Sequence, residues 1–284
     1  METTENPLKQ YFRQPAIYLR LPSNGLGWPN GSIEMTQNRE LPVYPMTAID
    51  EITYRTPDAL YNGEAVISVI KSCVPNIINP WYCPVVDLDA ILVAIRIASY
   101  GHSMDIGTKC PSCEDENEFG LDLRTVMDNL KSADYSKSLT IGDLEFFMRP
   151  LNYKEVTDNS QTQFEQQKTA QMLAQSEGTE NAEEIRARTL NDMMKKIVEV
   201  TVSALAHSIS EIRIGGTTSV TEPAHIEEFL READRNVFNR VKERVLELRQ
   251  ESELQPLRIK CPGCENEYTQ EFTLDMSRFF ASAS

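Results

Sequence analysis

Histidine is nearly missing from this 284-residue chain: three occur, His102, His207 and His225, far apart and isolated. No Ser-His-Asp or Cys-His arrangement for nucleophilic catalysis can be assembled from them. Long apolar runs are missing as well. The best candidate, Ile91 to Ala98, contains Arg96 and falls far short of the roughly 20 residues that a membrane-spanning helix needs. The amino terminus, Met-Glu-Thr-Thr-Glu-Asn, has neither the basic start nor the apolar stretch of a secretory signal, so the chain is expected to stay in the cytoplasm where it is made. Basic charge is in deficit: 28 Lys and Arg against 43 Asp and Glu leave a net charge of −15. That balance repels phosphate backbones, and with no basic groove in the sequence it predicts no nucleic-acid partner. Gly25-Leu26-Gly27 lacks the third spaced glycine of a dinucleotide loop, and no Walker-type lysine motif is present. Carboxylates abound on faces expected to be solvated, and no catalytic pair stands out, so the chain reads as a non-enzyme.

What is present is enough apolar material, 40% of residues, to bury a core. The first 45 residues are rich in Pro, Gly and Asn, with turns at Leu21-Pro22-Ser23-Asn24-Gly25 and Trp28-Pro29-Asn30-Gly31; they read as an extended arm with one hairpin. Thr56-Pro57-Asp58 opens a short helix, Gly63 to Cys73 carries apolar residues at helical spacing, and Asp87 is expected to N-cap a helix that ends at Gly101. Gly142-Asp143 joins two β-rich runs as a hairpin between Ser138 and Pro150. From Tyr153 to Glu184 the sequence is polar and reads as an exposed helix or a flexible insertion. Two amphipathic helices follow, one from Leu190 to Ile209 and one from Ile226 to Leu248, with a strand at Glu211 to Ile214 and a turn at Gly215-Gly216 between them. They are expected to pair with each other, with docking of one stripe on another protein as the alternative. The parts expected are thus an arm over 1–45, a helical region with a first knuckle over 46–150, a helical excursion over 151–255, and a second knuckle with a terminal strand over 256–284.

Four of the six cysteines fall in two copies of one pattern, Lys109-Cys110-Pro111-Ser112-Cys113 and Lys260-Cys261-Pro262-Gly263-Cys264. Acidic flanks follow both copies, and each closes on Leu-Asp, at Leu121-Asp122 and Leu274-Asp275. A Cys-x-x-Cys knuckle turns both sulfurs toward one cation, and two knuckles complete a tetrahedron of thiolates. Proline fixes the turn, Gly263 is expected to supply an unusual backbone angle, and knuckle amides donate to the sulfurs. The reading is an α+β fold with a split zinc ribbon, its knuckles on β-hairpins contributed by distant parts of the chain, beside a helical core. Cys110, Cys113, Cys261 and Cys264 would then hold one structural Zn2+. Two disulfides, a redox pair and an iron-sulfur cluster are the competing readings; a reducing cytoplasm opposes the first, and a redox pair normally opens a helix. Cys73 and Cys83 are expected to be buried thiols, and His102 to be solvated at a helix end.

The segments Tyr44-Pro45-Met46-Thr47-Ala48-Ile49-Asp50-Glu51, Thr56-Pro57-Asp58-Ala59-Leu60-Tyr61-Asn62-Gly63 and Ile70-Lys71-Ser72-Cys73 resemble the baseplate hub and hub-assembly family of T-even-type contractile-tailed phages. Arg96-Ile97-Ala98-Ser99-Tyr100-Gly101 ahead of the first knuckle, and the Leu21 to Gly25 turn, add to the resemblance, which covers residues 15 to 150 and resumes at the second knuckle. It implies a virion-assembly role, as a hub component or a chaperone-like factor, with other tail proteins as partners, in the host cytoplasm during assembly or in the tail baseplate itself. It implies no catalytic residue. A zinc-ribbon regulator of nucleic acid or polymerase is the alternative function, and a metal-dependent hydrolase a further one for which no ligand set is visible.

Overall fold

A computed structural model describes residues 6–55, 61–175 and 182–270. The short helix expected at Thr56-Pro57-Asp58 and the Leu274-Asp275 end of the second copy lie outside the described residues. In chain order the elements are β1 (Ile17–Arg20), β2 (Glu40–Val43), α1 (Ala48–Tyr54), α2 (Glu64–Cys73), α3 (Val85–Tyr100), β3 (Ser103–Lys109), β4 (Glu116–Asp122) and α4 (Leu123–Asn129). Then come β5 (Leu139–Ile141), β6 (Leu144–Met148), α5 (Tyr153–Gln175), α6 (Ala182–His207), β7 (Ile209–Ile214), β8 (Thr218–Val220), α7 (Pro223–Glu232), α8 (Arg235–Ser252), β9 (Leu257–Lys260) and β10 (Glu267–Gln270). Mixed helices and small antiparallel sheets agree with the α+β expectation. The chain divides into two units, one of residues 1–80, 86–130 and 254–284, the other of residues 81–85 and 131–253.

In the first unit α3 is apolar around most of its circumference, and such a helix belongs inside. Ala90 through Arg96 are buried without a break. Asp87 is the third residue of α3 rather than its N-cap. Fully buried, it accepts hydrogen bonds from the Ser23 amide (2.9 Å), the Trp28 indole N–H (2.7 Å) and the Ser23 hydroxyl. The early turn is thereby fastened to the central helix by a carboxylate whose proton affinity burial raises. Within residues 1–45, β1 and β2 pair antiparallel with Leu19 opposite Leu41, and Leu19, Leu21, Leu41 and Val43 are all buried. This segment contributes apolar side chains to the unit's core.

Arg13 supplies a second tie in that unit, donating to the Ser72 carbonyl (2.6 Å) and hydroxyl (2.8 Å) and to the Pro45 carbonyl, with Asp50 at 3.4 Å. Asp50 also closes a capping box with Thr47 at the start of α1. Gly63, in the left-handed region at φ 80°, starts α2, which buries Val66, Ile67, Val69, Ile70 and Cys73. The α3 helix stops where expected, at Gly101 with φ 88°.

The second unit is built on a four-stranded antiparallel sheet in the order β5-β6-β7-β8. Its hairpins turn at Gly142 and at Gly215-Gly216, all with positive φ, as the sequence predicts. Phe146 of β6 and Ile209 and Ile212 of β7 pack with Val202, Leu205 and Ala206 of α6, Ile226 and Leu230 of α7, and Val241 and Leu248 of α8. The single helix expected from Ile226 to Leu248 is therefore two. The chain breaks at Ala233-Asp234, where the Asp234 carboxylate accepts from the amides of Asn236 and Val237 and so starts α8. The polar stretch from Tyr153 is helical through Gln175, begun by Glu155, which accepts from the Asn152 amide and pairs with Arg149 at 2.6 Å. The part of α6 that packs into the sheet core is its carboxyl-terminal end, through Val202, Leu205 and Ala206. Further back Leu190, Met194, Ile197 and Val198 are exposed.

Candidate metal centre

Each knuckle is the tip of a β-hairpin. In the first, β3 and β4 pair from Ser103↔Asp122 to Lys109↔Glu116, and Cys110 to Asp115 form the tip. In the second, β9 and β10 pair from Leu257↔Gln270 to Lys260↔Glu267, with Cys261 to Asn266 between them. The two tips repeat one hydrogen-bond pattern. The Cys110 amide donates to the Asp115 carbonyl and the Glu114 amide to the Cys110 carbonyl, both at 3.0 Å. The Cys261 amide donates to the Asn266 carbonyl (2.9 Å) and the Glu265 amide to the Cys261 carbonyl (3.0 Å). Glu114 (φ 61°) and Glu265 (φ 58°) take up the left-handed turn back into the second strand.

That placement corrects the role expected of Gly263, which does not adopt a positive φ. What glycine supplies there is room. A Cβ at 263 would lie 2.8 Å from Asp115 Oδ2, a side chain reaching over from the first knuckle. Glutamate carries the backbone turn in both copies, and its side chain also meets the lysine ahead of the knuckle, Lys109 to Glu114 at 3.2 Å and Lys260 to Glu265 at 3.4 Å.

The hairpins bring the four sulfurs together across the chain. Cys110 Sγ lies 3.7 Å from Cys264 Sγ and Cys113 Sγ 3.6 Å from Cys261 Sγ, spanning 154 and 148 positions of sequence. All four sulfurs fall within 4.8 Å of one another. At a metal–sulfur distance of about 2.3 Å a regular tetrahedron has edges of about 3.8 Å. The arrangement therefore fits one four-coordinate cation, and the four cysteines lie close enough together to bind a metal. The same distances are far too long for disulfides, and all six cysteines are free. Neither knuckle opens a helix, so the redox-pair reading lacks its structural setting.

Each knuckle places its first cysteine inside, Cys110 at 1% exposure and Cys261 at 0%, while Cys113 is half-buried and Cys264 exposed. Backbone N–H groups point at the inner sulfurs. Chiefly the Cys113 amide, with that of Ser112 (3.4 Å from Sγ), draws the Cys110 thiol down to about 6, and chiefly the Cys264 amide, with that of Gly263, lowers Cys261. The inner pair is thus disposed to be thiolate, the form that binds metal. At Cys113 the Asp115 amide also lowers the thiol, but the neighbouring sulfurs outweigh it and the net direction is upward.

Several residues of the centre carry no sequence signal of their own. Asn117 and Tyr268 occupy the same place in the two hairpins, four residues past the second cysteine, and each reaches the opposite hairpin. Asn117 Nδ2 is 3.7 Å from Cys261 Sγ, and the Tyr268 and Thr108 hydroxyls are 2.6 Å apart. The duplicated spacing marks the position, but not that different residue types there make equivalent cross-contacts. The remaining candidates stay outside. Cys73 is buried beside Arg13 and pushed up to about 12, chiefly by burial; Cys83 is buried with its Sγ 3.4 Å from the Pro84 carbonyl; His102 and His225 are exposed. His207 Nδ1 lies 3.5 Å from the Ser203 hydroxyl.

No helix among the described residues is long and apolar enough to cross a membrane. No curated protein and no solved structure matches the chain. The family model described as T4 bacteriophage base plate protein matches residues 46–281, which include both knuckles and also the helical middle, where the resemblance read from the sequence breaks off. With a match over most of its length, the chain belongs to the T4 bacteriophage base plate protein family.

Proposed function

We propose that this chain is a component or assembly factor of the baseplate hub, acting through protein–protein contacts, with one structural zinc ion held by Cys110, Cys113, Cys261 and Cys264. Membership of the family gives it a baseplate-associated structural role among other tail and baseplate proteins. The hub assignment rests on the sequence resemblance around residues 44–73, and the zinc on the sulfur geometry. When bound, zinc supplies closed tetrahedral thiolate coordination with no position left for water, which is a fastening and not a catalytic centre. Cys110 and Cys261 supply the buried pair, their knuckle amides stabilise the thiolates, and Thr108 with Tyr268 sets the angle between hairpins. The acids around the knuckles, with the net charge of −15, suit a basic surface on a partner and favour rapid, salt-sensitive docking. The chain would work in the host cytoplasm during assembly and in the tail baseplate where it is retained.

The observation that carries the baseplate role is the family match over residues 46–281. It is tested by co-expressing the tagged chain with the hub proteins of the same phage, purifying at moderate salt, and measuring metal in the complex. A stoichiometric complex with a hub protein and one zinc per chain is expected. A metal-loaded chain that recovers only wedge or tube proteins, or that shifts DNA or RNA in a low-salt gel, overturns the assignment.

A further inference from the structure

The Asp115 carboxylate is turned toward the sulfurs. Whereas its neighbour Glu114 reaches back to Lys109, Asp115 Oδ2 accepts from the Cys113 thiol at 3.4 Å. The backbone of Asp115 is pinned, its carbonyl accepting from the Cys110 amide (3.0 Å) and from Asn117 Nδ2 (3.1 Å), so only side-chain torsions are left to move the carboxylate. Its Oδ2 lies at the notch that Gly263 leaves open: a Cβ built there would be 2.8 Å from that oxygen and 3.8 Å from Cys261 Sγ. The oxygen therefore stands beside the face of the cluster spanned by Cys113 and Cys261, whose sulfurs are 3.6 Å apart. In the second knuckle the corresponding place is filled by Asn266, whose carbonyl makes the same bond to the Cys261 amide but whose side chain is a neutral amide.

A carboxylate in that place does not fasten the loaded centre, because like charges so close to a coordinated thiolate repel. What it offers is an alternative ligand. Carboxylate oxygens bind zinc as thiolates do, and both carry one negative charge. When Cys113 lets go and Asp115 takes its place, one bond to sulfur breaks and one to oxygen forms. The charge of the ligand set is unchanged, and the freed thiolate takes its proton from water. The hairpins stay tied meanwhile, since the two buried sulfurs, of Cys110 and Cys261, come one from each hairpin and the Thr108–Tyr268 hydrogen bond is untouched. We infer that Asp115 is a reserve ligand of the metal centre, placed to take the position that Cys113 gives up, so that metal is exchanged on the folded chain through the Cys113 side. Asn266 offers no charge-matched substitute, so the exchange has one door.

The test uses the full zinc-loaded chain, with affinity read by competition against a chelator of known strength and exchange read with isotopically labelled zinc and by transfer to excess chelator. Asp115→Asn should slow exchange and transfer by about tenfold while affinity stays within about threefold of native. A residue that only shaped the knuckle would shift affinity and melting temperature instead. The ligand variants make the comparison specific. Once Cys113→Ala has removed the sulfur, Asp115→Asn should cost at least about a further tenfold in zinc affinity, whereas after Cys264→Ala its effect should again stay within about threefold. The inference rests on the zinc reading above, and the two fail differently. A native chain that carries no metal overturns both. A native chain that holds one zinc and exchanges it indifferently to Asp115→Asn, or an Asp115→Asn cost that is equal in the Cys113→Ala and Cys264→Ala chains, overturns this inference alone.

Discussion

Replacing Cys261 by Ser should release the carboxyl-terminal hairpin from the rest of the first unit, and the size of the effect follows from the loop the metal closes. Cys113 and Cys261 are 148 positions apart. Treated as a cross-link on the unfolded chain, a closure of that length is worth about 5 kcal/mol of conformational entropy. That figure is an upper value, since the Thr108–Tyr268 hydrogen bond between the hairpins does not involve the substituted side chain. At roughly 2–4 °C per kcal/mol for a unit of this size, the melting transition of the first unit should fall by about 5–15 °C. The buried Cys261 is the informative choice, because removing an exposed ligand such as Cys264 leaves three thiolates and room for water to complete the coordination. Metal content is read by elemental analysis, the transition by calorimetry, and the release by amide hydrogen exchange across β9 and β10. Native protein should carry one zinc and protect those amides; the variant should carry none and lose the protection, and chelation of the native protein should reproduce both changes. Cys83→Ala, which removes a buried thiol outside the cluster, should keep the metal. A Cys261→Ser protein that retains its metal and its melting temperature would refute the reasoning.

Asp87→Ala should destabilise the first unit by about 2–4 kcal/mol, because the Ser23 amide and the Trp28 indole N–H lose their acceptor in a buried setting; urea denaturation of the zinc-loaded chain measures it, and a loss below about 1 kcal/mol would show that water replaces the carboxylate. Asp89, in the same helix, is pushed up to about 6 by burial, above an unfolded value of 3.8. Its folded form holds the proton more tightly, so its contribution to stability is fully present below the unfolded value and is lost as pH rises through about 6. Between pH 5 and pH 7 the native chain should therefore lose about 1 kcal/mol relative to Asp89→Asn, in which the position no longer titrates. The comparison between the two proteins cancels the opposite trend from proton competition at the thiolates, and parallel stability curves would show that Asp89 is solvated.

Most of the local structure was legible because it rests on short-range causes. Gly101 and Gly142 mark their helix end and turn because left-handed backbone favours glycine, and α3 declares its buried position by being apolar all round. The readings that needed correction concern side chains whose partners are remote. Asp87 resembles an N-cap by residue type and position, yet its acceptors' work is done on Ser23 and Trp28, some sixty residues earlier. The run from Ile226 to Leu248 keeps its helical rhythm across Asp234, so periodicity alone does not reveal that a side-chain cap breaks it. Gly263 has the look of a backbone requirement of its own knuckle, but the constraint on it comes from Asp115 in the other one.

By itself the sequence determined which four cysteines come together, because two matched Cys-x-x-Cys knuckles each turn both sulfurs toward one point. It also determined the α+β character and the affinity to contractile-tail baseplate proteins, which are carried by local patterns and motifs. Only the tertiary structure decided that the first cysteine of each knuckle is buried and the second less so, that a Thr108–Tyr268 hydrogen bond joins the hairpins, and that Leu190, Met194, Ile197 and Val198 of α6 are exposed. Those facts depend on which surfaces meet, and contacts across 148 positions of chain are fixed by the packing of everything between them.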